Sequence, residues 1–438
     1  LELIASRGGL HGRARKGRSL RGHSPLRLAV LGGFGFDNLG DDLILRSALA
    51  QLRKTLGNVE VTLWSNNPCE TAARHQGETV IFSMEALFRQ IILRALVRVS
   101  AYHRRYLLGL PGDSFRRLLV CIWKSDLVVS LGGGYLNDYS RFLTHSRLAE
   151  LIMMGLCGKR LFLCGHEVGP LRRSSLRLLA RLALRFVTYA TVRDERSAET
   201  LLDLGVPRER FRITADVGWA CDPKIPPTSG LGDMRTKGAL VVALNLMPFQ
   251  VVANAFWSTT KRRIDAEKLN KHLLSVMLSS LDSLVPSGSR LILLPMSSRD
   301  LGICSELRAQ LRQRIPCEIV GDLDLQYRAV ARSDILVGMR MHTIMMAAQM
   351  NVPPIAIGTL PKLPEIMRDI GLSEYAIDGA PLDAAGFKES LSRALQNSET
   401  TRATMSERVT GLRKKAALNA EILHAILNYE PLTSSDPT

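Results

Sequence analysis

The sequence contains no run of eighteen consecutive apolar residues, which excludes a hydrophobic helix long enough to cross a bilayer. No apolar stretch follows its basic amino terminus, so a secretory leader is not expected. Its seven cysteines (Cys69, Cys121, Cys157, Cys164, Cys221, Cys304 and Cys317) include no C-x-x-C pair, and no Cys/His cluster has the spacing of a zinc site. Most lie in apolar surroundings, the pattern of free thiols in a reducing compartment. No internal repeat is visible. A cytoplasmic protein without a metal is the expectation. The chain opens on Leu1 rather than Met, the expected mark of a truncated or mis-assigned start.

What is present is length, apolar mass and local positive charge. The 438 residues suggest two or three domains, and 46% hydrophobic content is enough for sizeable cores. The net charge of +17 is concentrated. Residues 1–27 carry seven Lys/Arg and one Glu, residues 86–117 seven Arg and one Asp, and residues 172–186 five Arg and no acid. The rest of the chain is neutral overall. Local excess favours a surface patch over general nucleic-acid affinity.

From Leu26 onward, short apolar runs alternate with longer helical ones. Strands are expected at Leu28–Leu31, Val59–Trp64, Leu127–Leu131, Arg160–Cys164 and Tyr189–Val192, with helices at Leu43–Leu56 and Ala86–Leu108. Pro and Gly cluster before the rhythm restarts at Leu240–Leu244, Arg290–Pro295, Glu318–Val320, Ile335–Val337 and Pro354–Ile357. Helices are expected near Ala266–Leu284, Leu301–Arg314, Leu325–Arg332 and Met405–Leu427. The expected organisation is α/β: a disordered basic arm over 1–25, a Rossmann-like domain over 26–222 and a linker over 223–238. A second Rossmann-like domain follows over 239–398, then a helix and tail over 399–438. Two Rossmann-type domains with parallel sheets facing a cleft fit this rhythm.

Chemistry-bearing residues gather at strand ends. The first strand runs into Gly32-Gly33-Phe-Gly-Phe-Asp37-Asn38-Leu-Gly-Asp41-Asp42, where glycines and a helix start could receive an anion. It is neither a P-loop nor a dinucleotide fingerprint, and a tight turn capped by Asn38 or Asp41 reads equally well. Gly132-Gly133-Gly134 follows another strand and suggests close backbone approach to a ligand or a plain turn. Arg193, in Val192-Arg-Asp194, suits a carboxylate or phosphate, or a surface ion pair with Asp194 or Glu195. Arg340 and His342 follow the Ile335–Val337 run, with a helix expected from about Thr343, and Lys362 follows the next strand. On extended backbone Arg340 and His342 would point the same way, and His342 can exchange a proton near neutrality. His166-Glu167 could help bind substrate or simply bond locally. Arg173, Arg177, Arg181 and Arg185 recur every fourth residue, with Leu176, Leu179, Leu182 and Ala183 on the other faces. Phe88, Ile91, Ile92, Leu96 and Val99 set against Arg89, Arg94 and Arg98 repeat the pattern, giving either solvated faces or contacts with anionic lipid.

These motifs together resemble the polysaccharide pyruvyl transferase family. The resemblance rests on Gly33-Phe-Gly-Phe-Asp-Asn-Leu-Gly-Asp-Asp-Leu-Ile44, Gly132-Gly-Gly, Gly165-x-x-x-Gly-Pro170, Val192-Arg-Asp194, Gly338-Met-Arg-Met-His342 and Pro361-Lys362, in the family's order, over roughly residues 26–375. It implies a GT-B-like fold, phosphoenolpyruvate as donor and a lipid-linked or nucleotide-linked saccharide as acceptor. It also implies that Arg193, Arg340, His342 and Lys362 bind donor or act in catalysis, with His342 and Arg193 expected as catalytic. With the glycine turns read above, substrate binding is expected from Arg340, Lys362, Gly33, Asn38, Asp41, Gly133 and Gly134, with no cofactor. Three departures stand out. Thr359-Leu-Pro-Lys replaces Tyr-Asp-Pro-Lys, Gly165-His-Glu replaces Gly-Gln-Gly, and Asp216-Val-Gly-Trp219 replaces an Asp-Pro. A GT-B glycosyltransferase using a nucleotide sugar and a non-catalytic glycan-assembly subunit remain alternatives. Expected partners beyond the substrates are the anionic inner face of the cell membrane and a second copy of the chain, with no nucleic acid.

Overall fold

A computed structural model describes residues 24–87, 111–139, 141–222, 238–251, 265–311, 314–358 and 362–428. Nearly all of the expected basic arm, most of the cationic helix expected over 86–108, and the linker apart from residue 238 lie outside them. The chain forms two compact units. Unit one comprises Leu1–Phe36, Ile44–Ala220 and Lys414–Thr438, and unit two Asp37–Leu43 and Cys221–Arg413.

Unit one alternates strands and helices in the order β1 (Leu26–Leu31), α1 (Leu39–Leu56), β2 (Val59–Ser65), α2 (Pro68–Arg74), β3 (Thr79–Phe82), α3 (Pro111–Lys124), β4 (Leu127–Leu131), α4 (Arg141–Leu156), β5 (Leu161–His166), α5 (Ser174–Phe186), β6 (Val187–Val192), α6 (Glu195–Asp203) and β7 (Phe211–Ile213). The first residues of α1 group with unit two. All strand pairs are parallel, in the order β3-β2-β1-β4-β5-β6-β7. Strands β4 and β5 are buried at every residue, as expected of parallel strands covered on both faces. One core joins the inner faces of α3, α4, α5 and α6 through Leu118, Leu151, Leu176 and Leu201. The other joins Leu45 and Leu52 of α1 to Ile422 and Leu423 of the final helix, Ser398–Asn428, which thereby returns to unit one.

Unit two repeats the plan with β8 (Val241–Asn245), α7 (Ala266–Leu284), β9 (Arg290–Leu293), α8 (Leu301–Leu311), β10 (Cys317–Ile319), α9 (Leu323–Ala331), β11 (Ile335–Gly338), α10 (Met341–Gln349), β12 (Pro354–Gly358), α11 (Lys362–Asp369), β13 (Ala376–Asp378), α12 (Ala384–Gln396) and the start of α13 (Ser398–Asn428). Its parallel order is β10-β9-β8-β11-β12-β13. Strand order therefore reverses between β1 and β4 in one sheet and between β8 and β11 in the other. Open α/β sheets bind ligands just beyond the carboxyl ends of such strands. Asp265, Asp322 and Asp383 cap α7, α9 and α12 by accepting hydrogen bonds from backbone N–H groups of the first turn.

Three strands and four helices go beyond the sequence expectation. β3, β7 and β13 are sheet edges of three or four residues with mixed burial. The unexpected helices are α2, α3, α11 and α12. Helix α10 begins at Met341 rather than at Thr343, so Arg340 is its extended N-cap residue and His342 lies inside its first turn. The two side chains thus do not share the single extended segment expected for them.

Asn419 of α13 ties the helix to the strand ends of unit one. Its amide donates to the carbonyls of Ala215 at 3.1 Å and Ala416 at 2.8 Å. Its oxygen accepts from the Thr214 hydroxyl at 2.9 Å and from the Thr191 hydroxyl. Asn419→Leu would strand these buried groups, and urea denaturation should show a loss of roughly 2–3 kcal/mol.

Candidate functional site

In unit two the candidate residues meet at the carboxyl edge of the sheet. The hub is Asp300, which is fully buried. One carboxylate oxygen accepts from Met296 N at 3.0 Å and Arg340 Nε at 2.9 Å, and the other from Arg340 Nη2 at 2.6 Å. The fork geometry of a guanidinium suits this two-point contact. Arg340 is thereby fixed as it leaves β11, and its backbone carbonyl accepts from the Thr343 hydroxyl at 2.7 Å.

The turn after β1 joins this group. Leu39 N donates to the Met296 carbonyl at 2.9 Å. Asp37 has φ +54°, a left-handed conformation that Asp tolerates better than most residues, and its carboxylate accepts from Ser298 N at 2.8 Å and the Ser297 hydroxyl at 3.2 Å. A Cβ on Gly40 would overlap the His342 ring, so glycine here is what lets the imidazole lie against the turn. Asn38 and Asp41 serve the turn itself. Asn38 Nδ2 donates to Asp41 at 2.8 Å, and Asn38 Oδ1 accepts from Gly40 N at 3.1 Å. Lys362 opens α11, just beyond β12, the strand paired with β11. Asn38, Asp41, Arg340 and His342 are therefore brought together, although about 300 residues separate the two halves of the group.

The remaining candidates lie in unit one. Arg193 is not a surface ion pair. Its side chain is 8% exposed and faces Glu167, Asp216 at 2.9 Å and Asp194 at 3.5 Å. Burial opposes its charge, but the three carboxylates outweigh burial and raise its pKa. Glu167 therefore bonds a residue 26 positions away. His166 likewise reaches Ser130, with Nε2 3.0 Å from both its carbonyl and its hydroxyl. Gly132 cannot carry a Cβ because the backbone of Gly165 lies against it, which gives that glycine a packing role between β4 and β5. Gly33 and Gly133 are buried, and the Gly134 carbonyl accepts from Asn137 Nδ2 at 2.7 Å. Beside them Arg147 donates to Glu150 at 2.7 Å and to the Gly32 carbonyl, where β1 ends. Burial pushes the Cys164 thiol up to about 12, so it offers no thiolate at neutral pH.

Sequence reasoning did not find Asp300, Asp37 or the Arg147–Glu150 pair. Only the last had a local signal, an Arg and Glu three apart inside an apolar helix. Among the described residues no group of His, Cys, Asp and Glu is arranged to hold a metal, and no helix is long and apolar enough to cross a membrane.

Comparison with known proteins places this edge in a family. The polysaccharide pyruvyl transferase model matches residues 38–361, from the Asn38 turn to the residue before Lys362. The chain belongs to the polysaccharide pyruvyl transferase family. The amylovoran biosynthesis protein AmsJ of Erwinia amylovora is 19% identical over 434 residues, covering 92% of this chain and 100% of that protein. Among solved structures, the S. aureus MnaA–UDP co-structure aligns with TM-score 0.61 and 11% identity, over 94% of this chain and 100% of that one. The glycotransferase of kitacinnamycin aligns with TM-score 0.52 and 14% identity, over 92% and 99%. At such identities the likeness concerns the fold alone. It agrees with the two Rossmann-type sheets in making this family member GT-B-like.

His166 gives the family member a measurable acid sensitivity. Burial lowers its pKa from the ordinary 6.5 to about 4, against the opposing Ser130 carbonyl and with help from Arg147 and Arg193. As pH falls through 6.5 the unfolded chain takes a proton that the folded chain refuses until about 4, so stability drops across that window, by up to about 3 kcal/mol. Urea titrations from pH 7 to 4 should show His166→Gln losing less stability than the parent over the same interval.

Proposed function

We propose that this chain transfers the pyruvyl group of phosphoenolpyruvate to two hydroxyls of one sugar, forming a cyclic ketal during synthesis of a cell-surface polysaccharide. The observation that carries the reading is the convergence of the Asn38–Asp41 turn, Arg340 and His342 at one sheet edge inside the family match. The name of AmsJ, an amylovoran biosynthesis protein, supports a place in polysaccharide synthesis, and the acceptor of this reading is a lipid-linked or nucleotide-linked saccharide.

Phosphoenolpyruvate presents a phosphate and a carboxylate, and Arg340 and Lys362 supply cations at the edge of unit two. Arg340 is pre-set by Asp300, so little ordering is left to the moment of binding. His342 acts as general acid and then base. It protonates C3, which becomes the methyl group, and leaves an oxocarbenium-like centre at C2. One sugar hydroxyl adds to C2 and gives up its proton. The C2–O bond to phosphate then breaks, and phosphate departs with the bonding pair. The second hydroxyl of the same sugar closes the ring, an effectively unimolecular step, and releases its proton. Arg193 contributes through its carboxylates. Its charge is committed to Glu167 and Asp216, and it holds those acids at the strand ends of unit one.

Phosphate release from phosphoenolpyruvate should depend on a saccharide acceptor, and the product should gain the mass of a pyruvate ketal. His342→Ala should lower the rate by about a hundredfold or more while the melting temperature holds. Full activity in that variant would remove His342 from the chemistry. Transfer from a nucleotide sugar, without use of phosphoenolpyruvate, would favour a glycosyltransferase.

A further inference from the structure

We propose that the outward side of the α3–α4–α5 layer in unit one is a docking surface for an anionic lipid bilayer. The three helices bury their inner faces in one core, so they cover the same side of the sheet and turn their outer faces away from it. That surface is not what a solvated helix layer presents. On α3, Phe115 is 48% exposed, Leu119 47% and Trp123 72%. The end of α4 adds Leu156 at 74%, and α5 adds Leu178 at 70%. Leu182, which the sequence placed on a face away from the arginines, is 42% exposed and turns outward with them.

Charge on the same helices is predominantly positive. Arg116, Arg117 and Lys124 lie on α3 and Arg177, Arg181 and Arg185 on α5. The acid of α3, Asp113, is held by Arg117 at 2.9 Å, and the Glu150 of α4 is fully buried. Lys159, in the turn after α4, donates to the Trp123 carbonyl at 3.0 Å and ties that turn to the end of α3. The acids of α6, Glu195, Glu199 and Asp203, mark where the basic surface stops. The opposite face of the sheet packs α1 and α13, and no described residue of those helices is an exposed large hydrophobe.

Charge complementarity selects the occupant. A protein partner would be expected to meet the apolar residues with a shaped apolar counterpart. Exposed Trp, Phe and Leu beside an excess of Arg and Lys, with the exposed acid of α3 paired to Arg117, instead match the boundary between headgroups and acyl chains. There the rings enter the interface and the cations meet phosphate. This docking is independent of the donor and acceptor proposed above.

The test is sedimentation of the full chain with vesicles of phosphatidylcholine alone and of phosphatidylcholine mixed with phosphatidylglycerol. The chain should sediment with the anionic vesicles, weakly or not at all with the neutral ones, and less as salt is raised. Arg116→Gln and Arg185→Gln should each weaken binding roughly fivefold, from about 1 kcal/mol per cation near a charged surface. Trp123→Ser should weaken it as well, with thermal melting unchanged in all three. Equal binding to both vesicle types, no binding, or variants that bind like the parent would overturn the proposal. So would a chain that ignores vesicles but forms a dimer that Trp123→Ser dissociates, which would assign the face to a second copy.

Discussion

The contact between Asp300 and Arg340 is the constraint on which the unit-two edge depends. A carboxylate with no solvent exposure must have its lone pairs filled, and here a guanidinium and a backbone N–H fill them. The same contact fixes the Met296–Asp300 turn, and the Met296 carbonyl in turn receives Leu39 N. Arg340 is the extended N-cap residue of α10, so His342 lies in the first turn, against Gly40. A pair 40 residues apart in sequence thus sets the position of a turn some 300 residues upstream of it.

The two units use arginine differently. Arg340 meets one carboxylate and keeps 17% of its side chain exposed. Arg193 meets three carboxylates and is 8% exposed, and the cluster around it carries more negative than positive charge. Coulomb interactions at these distances are strong when little water intervenes. An anionic donor is therefore better suited to the Arg340 edge, and the Arg193 cluster to holding acids in place beside the buried, neutral His166.

Much of this architecture was legible in the sequence because central parallel strands are continuous apolar runs. Leu127–Leu131 and the Asp265-capped helix Ala266–Leu284 match expectation to the residue. The missed strands β3, β7 and β13 are edges of three or four residues, where one side has no neighbour and burial is partial, so their apolar runs are short or broken. Helix α3 was missed because Phe115, Leu119 and Trp123 face outward and blur the apolar stripe that identifies a helix. Within the site, Arg340, His342 and the Asn38 turn announced themselves through glycines and strand ends. Asp300 and Asp37 did not, since an acid that pairs across the fold looks locally like any surface acid.

The claim that Arg340 is pre-set for an anionic donor is tested most directly by calorimetric titration of phosphoenolpyruvate into the parent and an Arg340→Lys variant. Lys keeps the charge but cannot make the two-point contact with Asp300. Saturable binding to the parent, weakened about tenfold or more in the variant, is the predicted result. Equal affinity in both proteins, or saturable binding of nucleotide sugars with none of phosphoenolpyruvate, would contradict it.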